Sequence, residues 1–145
     1  MTAVAIVYFD SSALVKLLVD EQGSEVAEAL WNGCDVAVSS RLAYPEVRAA
    51  LAAARRASRL ADRDLARAEA MCKAFWAAIR AVELTAPVAA DAGDLARDHA
   101  LGGADAVHVA SLLALGASDE VLATWDQRLR TGAQAAGAHL APVVL

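Results

Sequence analysis

The chain has 145 residues, a length suited to one domain, and 13 basic against 18 acidic residues leave a formal net charge of −5. With 58% hydrophobic and 21% charged residues it is not a disordered tail, and it carries enough apolar side chains for a real core. The acidic balance argues against a nonspecific DNA coat, which needs a basic surface, but not against an enzyme whose metal ions supply the positive charge.

Residues 4–9 form a short apolar run rich in β-branched and aromatic side chains, the pattern of a buried strand. Residues 11–19 read as a helix with Leu14, Leu17 and Leu18 inward and Lys16 paired with Asp20 outside. A second helix opens at Gly23-Ser24 and ends at Asn32-Gly33, and residues 35–39 read as a strand. A long helical region follows. Leu42, Val47, Ala50, Leu51 and Ala54 make its first stripe; Leu65, Ala68, Cys72, Phe75 and Ile79 make the second, beyond Arg59-Leu60. Residues 82–84 form a short strand before Pro87. Val88, Ala92, Leu95 and His99 mark another helix, stopped at Gly102-Gly103. Residues 105–115 are apolar on nearly every side and read as a buried helix. A strand over 121–125, a helix over 127–136 closed by Gly137, and a last strand over 139–144 complete the chain. Strands alternating with helices predict a single α/β domain over residues 1–145, with a mostly parallel sheet covered on both faces and ligands gathered at its carboxyl edge.

The first nine residues are apolar but lack a basic flank, and Asp10 cuts them short; the weakly polar stretch over 105–119 is too short to span a bilayer and contains His108. A cytoplasmic protein without a membrane segment is expected. Cys34 and Cys72 stand in no metal-finger spacing and read as free thiols.

Acids fall at the expected strand-to-helix junctions. Asp10 follows the first strand, Asp105 opens the buried helix, Asp126 ends the run over 121–125, and Glu46 lies in the first turns of the helix after the second strand. Ser11 and Thr124 offer neutral oxygens beside them. Asp is a favoured N-cap, so each acid alone could be no more than that. Capping is served as well by Ser, Thr or Asn, however, and an unpaired carboxylate at the head of a buried helix is costly. No Lys or Arg lies within a turn of Asp105, so a bound cation is the economical partner, and oxygen-only ligands suit Mg²⁺ or Mn²⁺.

Four segments carry a resemblance. Val7-Tyr8-Phe9-Asp10-Ser11-Ser12-Ala13-Leu14 resembles the opening motif of the PIN-domain ribonucleases, and within them the VapC-type toxins of bacterial toxin–antitoxin pairs. Tyr44-Pro45-Glu46-Val47-Arg48-Ala49-Ala50-Leu51 is similar to the second motif, Gly103-Ala104-Asp105-Ala106-Val107-His108-Val109-Ala110 to the third, and Thr124-Trp125-Asp126-Gln127-Arg128-Leu129 to the fourth. The resemblance implies a three-layer α/β/α sandwich and Mg²⁺- or Mn²⁺-dependent endoribonuclease activity as a type II toxin. Asp10, Glu46, Asp105 and Asp126 would be catalytic. Asp10, Asp105 and Asp126 would ligate metal, Glu46 would ligate or orient the attacking water, and Ser11 and Thr124 would hold carboxylates or waters from behind. It also implies a homodimer, an RNA substrate and a small cognate antitoxin whose tail covers the groove. Pro45 and the bulky Trp125 depart from the pattern.

His108 shares a helical face with Asp105 and reads as a hydrogen-bonded residue behind the ligands rather than a ligand. Arg41 and Arg48, nearest Glu46 among the arginines of the long helical region, are the candidates for RNA phosphate contact. Trp31, Trp76 and Trp125 could stack bases, with packing the plainer role for Trp76. A non-catalytic module that binds RNA or a partner is the alternative function. A phosphoryl-transfer domain with Asp10 as nucleophile is disfavoured, because Ser11-Ser12 follow Asp10 and no Lys occurs after Lys73.

Overall fold

The computed structural model describes residues 4–117 and 119–145. In chain order the elements are β1 (Ile6–Phe9), α1 (Ser11–Leu18), α2 (Ser24–Gly33), β2 (Val36–Ser40), α3 (Ala43–Arg56), α4 (Asp62–Ala78), β3 (Arg80–Val82), α5 (Ala86–His99), α6 (Gly103–Leu113), β4 (Val121–Ala123), α7 (Gln127–Ala135) and β5 (His139–Ala141). The sheet has five strands in the order β3-β2-β1-β4-β5, and every pairing is parallel.

Alternation along the central strands builds three layers. Val7 and Phe9 of β1, Ala37 of β2 and Ala123 of β4 point into one core, with Leu14, Leu17 and Leu18 of α1, Ala27 of α2, Val47 and Leu51 of α3 and Cys72 of α4. Tyr8, Val38 and Leu122 point the other way, into a second core with Val88 and Ala92 of α5, Val109 and Leu112 of α6 and Leu129 and Ala133 of α7. Burying a side chain such as Leu51 or Leu122 contributes about 1.5–3 kcal/mol, so both helical layers are held by apolar burial. The expected α/β/α architecture is the one observed.

Several local expectations need correction. Lys16 pairs with Glu21 at 3.0 Å, not with Asp20, because Val19 is already extended and Asp20 falls off the helical spacing. Ala50 is exposed; the buried line of α3 is Ala43, Val47 and Leu51, one residue every four. β3 lies two residues before the expected 82–84, since Thr85 caps α5 and residues 83–85 form the turn into it. Gly103 starts α6 rather than ending α5, which stops at Ala100 in the left-handed region (φ 54). β4 and β5 are shorter than expected and end at Ala123 and Ala141.

Gly23 has φ +93, and a Cβ there would stand 2.7 Å from Nε1 of Trp125, so the α1–α2 turn requires glycine. Among the described residues no helix is long and apolar enough to cross a membrane. Cys34 and Cys72 are free thiols, the second buried.

Candidate active site

β1 and β4 are neighbours whose following helices leave on opposite faces of the sheet, so a crevice opens beyond their carboxyl ends. Asp10 stands at the first of these ends, 2% exposed, and caps α1. Its Oδ1 accepts from Ala13 N at 2.9 Å and from Ser12 Oγ at 2.7 Å; its Oδ2 accepts from Thr124 Oγ1 at 2.5 Å. The two hydroxyls tie the junctions together, because Ser12 Oγ also accepts from Trp125 N and Thr124 Oγ1 from Asp126 N. Burial pushes the Asp10 carboxyl up, and the bonds from Thr124, Ser12 and Ala13 pull it back. Thr124 thus bonds the Asp10 carboxylate directly. The serine that does so is Ser12 rather than Ser11, since in the first turn of α1 it is the Ser12 hydroxyl that bridges Asp10 to the β4–α7 junction.

Asp126 caps α7, with Oδ1 accepting from Arg128 N and Leu129 N, and is otherwise exposed. Asp105 lies in the first turn of α6 but is not its cap; that position is Gly102. The Asp105 carboxylate is half-buried rather than fully buried, and among the described residues it makes neither an ion pair nor a hydrogen bond through its side chain. Burial pushes its carboxyl up. Asp126 is the next cause in the same direction, and Asp10 and Glu46 add to it while His108 opposes. Asp126, Asp10 and Glu46 therefore all lie within electrostatic reach of Asp105.

Glu46, in the first turn of α3, is held from beneath. Its Oε1 lies 2.6 Å from His108 Nε2, and His108 Nδ1 lies 2.7 Å from the Tyr8 hydroxyl. His108 and Tyr8 are buried at 1% and 0% exposure. A carboxylate only accepts, so Nε2–H of His108 donates to Glu46, and the Tyr8 hydroxyl pairs with Nδ1. Burial raises the Tyr8 phenol far above its usual range and keeps it a donor. With both nitrogens committed, His108 is a support for Glu46 and not a free ligand. The sequence reading missed Tyr8 and Ser12. Tyr8 did carry a signal: an alternate strand position facing a buried helix leaves its hydroxyl in need of a partner.

Among the described residues no three Asp, Glu, His or Cys side chains already stand at metal-holding spacing. The donors nonetheless fit a hard divalent ion in kind. They are carboxylate oxygens, the histidine is otherwise engaged, and Asp105 and the second oxygen of Asp126 are uncommitted.

The two candidate RNA-contact arginines are paired in place. Arg41 reaches Glu83 at 2.5 Å, and Arg48 reaches Glu69 and, at 3.0 Å, the Tyr44 hydroxyl. Trp76 packs against Tyr44 at 5.5 Å between centroids and Trp31 against Phe75 at 4.8 Å; Trp125 lies under the Lys16 ammonium at 5.3 Å. Packing accounts for all three tryptophans.

The PIN domain family pattern matches residues 7–134. The chain belongs to the PIN-domain family. Ribonuclease VapC45 of Mycobacterium tuberculosis is 63% identical over 140 residues, covering 97% of each chain. Two solved structures share the fold at low identity. VapC20 of Mycobacterium tuberculosis, a toxin that cleaves the sarcin–ricin loop, has a TM-score of 0.68 at 19% identity, over 91% of this chain and 95% of that one. A toxin–antitoxin complex from Klebsiella pneumoniae has a TM-score of 0.63 at 16% identity, over 96% and 95% of the two chains.

Proposed function

We propose that this protein is a divalent-metal-dependent endoribonuclease acting as the toxin of a type II toxin–antitoxin pair. The observation that carries the reading is the gathering of Asp10, Asp105 and Asp126 at the carboxyl edge of the sheet, with the half-buried Asp105 side chain making no ion pair or hydrogen bond among the described residues. Identity of 63% to a chain named a ribonuclease of the VapC kind supports the RNA-cleaving activity, and the Klebsiella pneumoniae complex supports an antitoxin partner.

In this reading Asp10, Asp105 and Asp126 hold one or two Mg²⁺ or Mn²⁺ ions. When bound, such an ion polarises the scissile phosphate and stabilises the leaving oxygen. Asp10 is aimed by its three donors and cannot swing away. Glu46 Oε1 is pinned by His108, which leaves Oε2 to orient water and accept its proton as the water oxygen bonds to phosphorus. The phosphorus–oxygen bond to the leaving ribose breaks, and that oxygen takes a proton from solvent.

The test is to map cut ends in cellular RNA after expression of wild type and Asp10→Asn, and to repeat cleavage in vitro with Mg²⁺, with Mn²⁺ and with chelator. New ends that need both the metal and Asp10 support the reading. RNA binding without cleavage under every metal condition would leave a non-catalytic module instead.

A further inference from the structure

Arg41 and Arg48 are paired to acids, so an unpaired cation elsewhere on the same edge is the better candidate for a contact to the RNA backbone. A cleft of about 440 Å³ opens between the α5–α6 turn and α7, with Asp105 on its wall. That volume falls within the range of ordinary ligand clefts, about 300–1,000 Å³. His99, Gln127, Arg128 and Thr131 line it with polar groups. Arg128 is exposed, and among the described residues it makes no ion pair.

Two features of the cleft bear on what it could hold. Arg128 is the second residue of α7, where a cation opposes the helix macrodipole at a cost of about 0.3–1 kcal/mol, and Asp126 already caps that helix. Gly102 has an ordinary φ of −64, and a Cβ there would meet nothing within 4 Å. Gly102 is the N-cap of α6, a position glycine commonly takes, and its absent side chain keeps the lip beside Asp105 low. A close-lying strand would use both features.

We infer that this cleft holds the single-stranded RNA immediately beside the scissile phosphate, with Arg128 contacting a flanking backbone phosphate. The inference rests on the endoribonuclease reading of the adjoining acids. Arg128 contributes position rather than base specificity, because a phosphate carries no sequence information.

The test uses a short fluorescein-labelled oligouridylate and the full chain in the Asp10→Asn background, where no cleavage confounds binding. Affinity is measured against salt for that protein and with Arg128→Ala, Arg128→Lys, Gly102→Leu or Arg41→Ala added. One lost phosphate contact lowers the slope of log affinity against log salt by about 0.7 for single strands. That change is expected for Arg128→Ala, with a several-fold loss of affinity. The slope is retained by Arg128→Lys and by Arg41→Ala, whose parent side chain is already held by Glu83. Gly102→Leu weakens binding with the slope unchanged. Arg128→Ala melts slightly above its parent because it relieves the opposed macrodipole, and Gly102→Leu slightly below because leucine is a poor N-cap, so lost binding in Arg128→Ala does not come from unfolding. An unchanged slope in Arg128→Ala, an equal change in Arg41→Ala, or no binding of the probe overturns the inference. Binding of oligoglutamate in place of oligouridylate, lost in Arg128→Ala, also overturns it, in favour of an acidic peptide. The inference fails separately from the function: a wild type that cleaves RNA as well as Arg128→Ala does removes only the cleft, whereas a wild type that cleaves nothing with any metal removes the nuclease.

Discussion

Replacing Asp10 by Asn separates the two jobs its carboxylate performs. In the metal-free protein it is a cap and a junction piece that accepts from Ala13 N, Ser12 Oγ and Thr124 Oγ1. An amide keeps one oxygen for the first two donors and presents NH₂ to the third, so the Thr124 hydroxyl loses its acceptor. That costs about 1–3 kcal/mol. Against it stands the cost of a buried charge, which raises the Asp10 carboxyl and which the amide does not incur; each pKa unit of such a rise corresponds to about 1.4 kcal/mol. The two contributions oppose each other, so metal-free Asp10→Asn differs from wild type by less than the lost hydrogen bond alone would cost. Metal separates the two proteins. A cation that binds only the folded state stabilises it by about 2.7 kcal/mol at a hundredfold excess over its dissociation constant. At this chain length each kcal/mol moves the melting temperature by about 2–4 °C, so wild type should gain roughly 5–11 °C in Mn²⁺. Asp10→Asn should gain little. Asp62→Asn, which removes an exposed acid paired with Arg55, should respond as wild type does. The assay is a calorimetric melt over a Mn²⁺ series. A concentration-dependent rise in Asp10→Asn equal to that of wild type would refute a site at Asp10.

Tyr8→Phe removes the hydroxyl that faces His108 Nδ1 and should lower cleavage about 10–100-fold, the usual cost of losing support behind an active-site ligand. Its mark is a change in the His108 tautomer, read from ring ¹⁵N shifts, and an unaltered spectrum with full activity would remove the support role. Thr124→Val loses both the donor to Asp10 and the acceptor for Asp126 N, and should destabilise by about 1–3 kcal/mol in urea unfolding while weakening Mn²⁺ binding. Arg130, 4% exposed, donates to the carbonyls of Thr124, Pro142 and Val143; Arg130→Met strands those acceptors and should cost several kcal/mol by the same measurement. The pH dependence has a definite sign. Asp105 is raised in the fold, so its protonated form contributes stability that is fully present below the unfolded value of about 3.9 and lost as pH rises through the folded value. Metal-free wild type should therefore trail Asp105→Asn at pH 7 and converge on it as pH falls, while Mn²⁺ affinity weakens over the same window. A constant gap between the two proteins would contradict the shift.

Much of the architecture was legible because both of its periods are strong. The two-residue alternation of Val7, Tyr8 and Phe9 sends its side chains to opposite cores, and the four-residue line through Ala43, Val47 and Leu51 buries one face of α3. What sequence misplaced were the ends, where tertiary hydrogen bonds outvote local pattern. The Thr85 hydroxyl decides where α5 begins, and so pulls β3 back to Val82. Val19 turns extended and hands Lys16 to Glu21. Neither event leaves a trace in composition.

The acids were harder to judge because capping and metal binding ask for the same residue at the same place. Asp10 and Asp126 are in fact caps, as the plain reading has it. A single oxygen meets the backbone donors at Asp126, and the other is left over; at Asp10 the second oxygen is met by a hydroxyl from the next strand junction. Asp105 is the discriminating case. It caps nothing, pairs with no cation among the described residues, and its carboxyl is raised by three other acids as well as by burial. Its place in the first turn of α6 suits the helix macrodipole, and its unpaired carboxylate is what the proposed metal site would use. The arginines show the converse limit. Proximity to Glu46 in sequence singled out Arg41 and Arg48, but Glu83 in the β3–α5 turn and Glu69 of α4 pair with them, while Arg128 reaches the same edge through the β4–α7 junction with its charge free among the described residues. Which charges remain available to a substrate is decided by pairing in three dimensions.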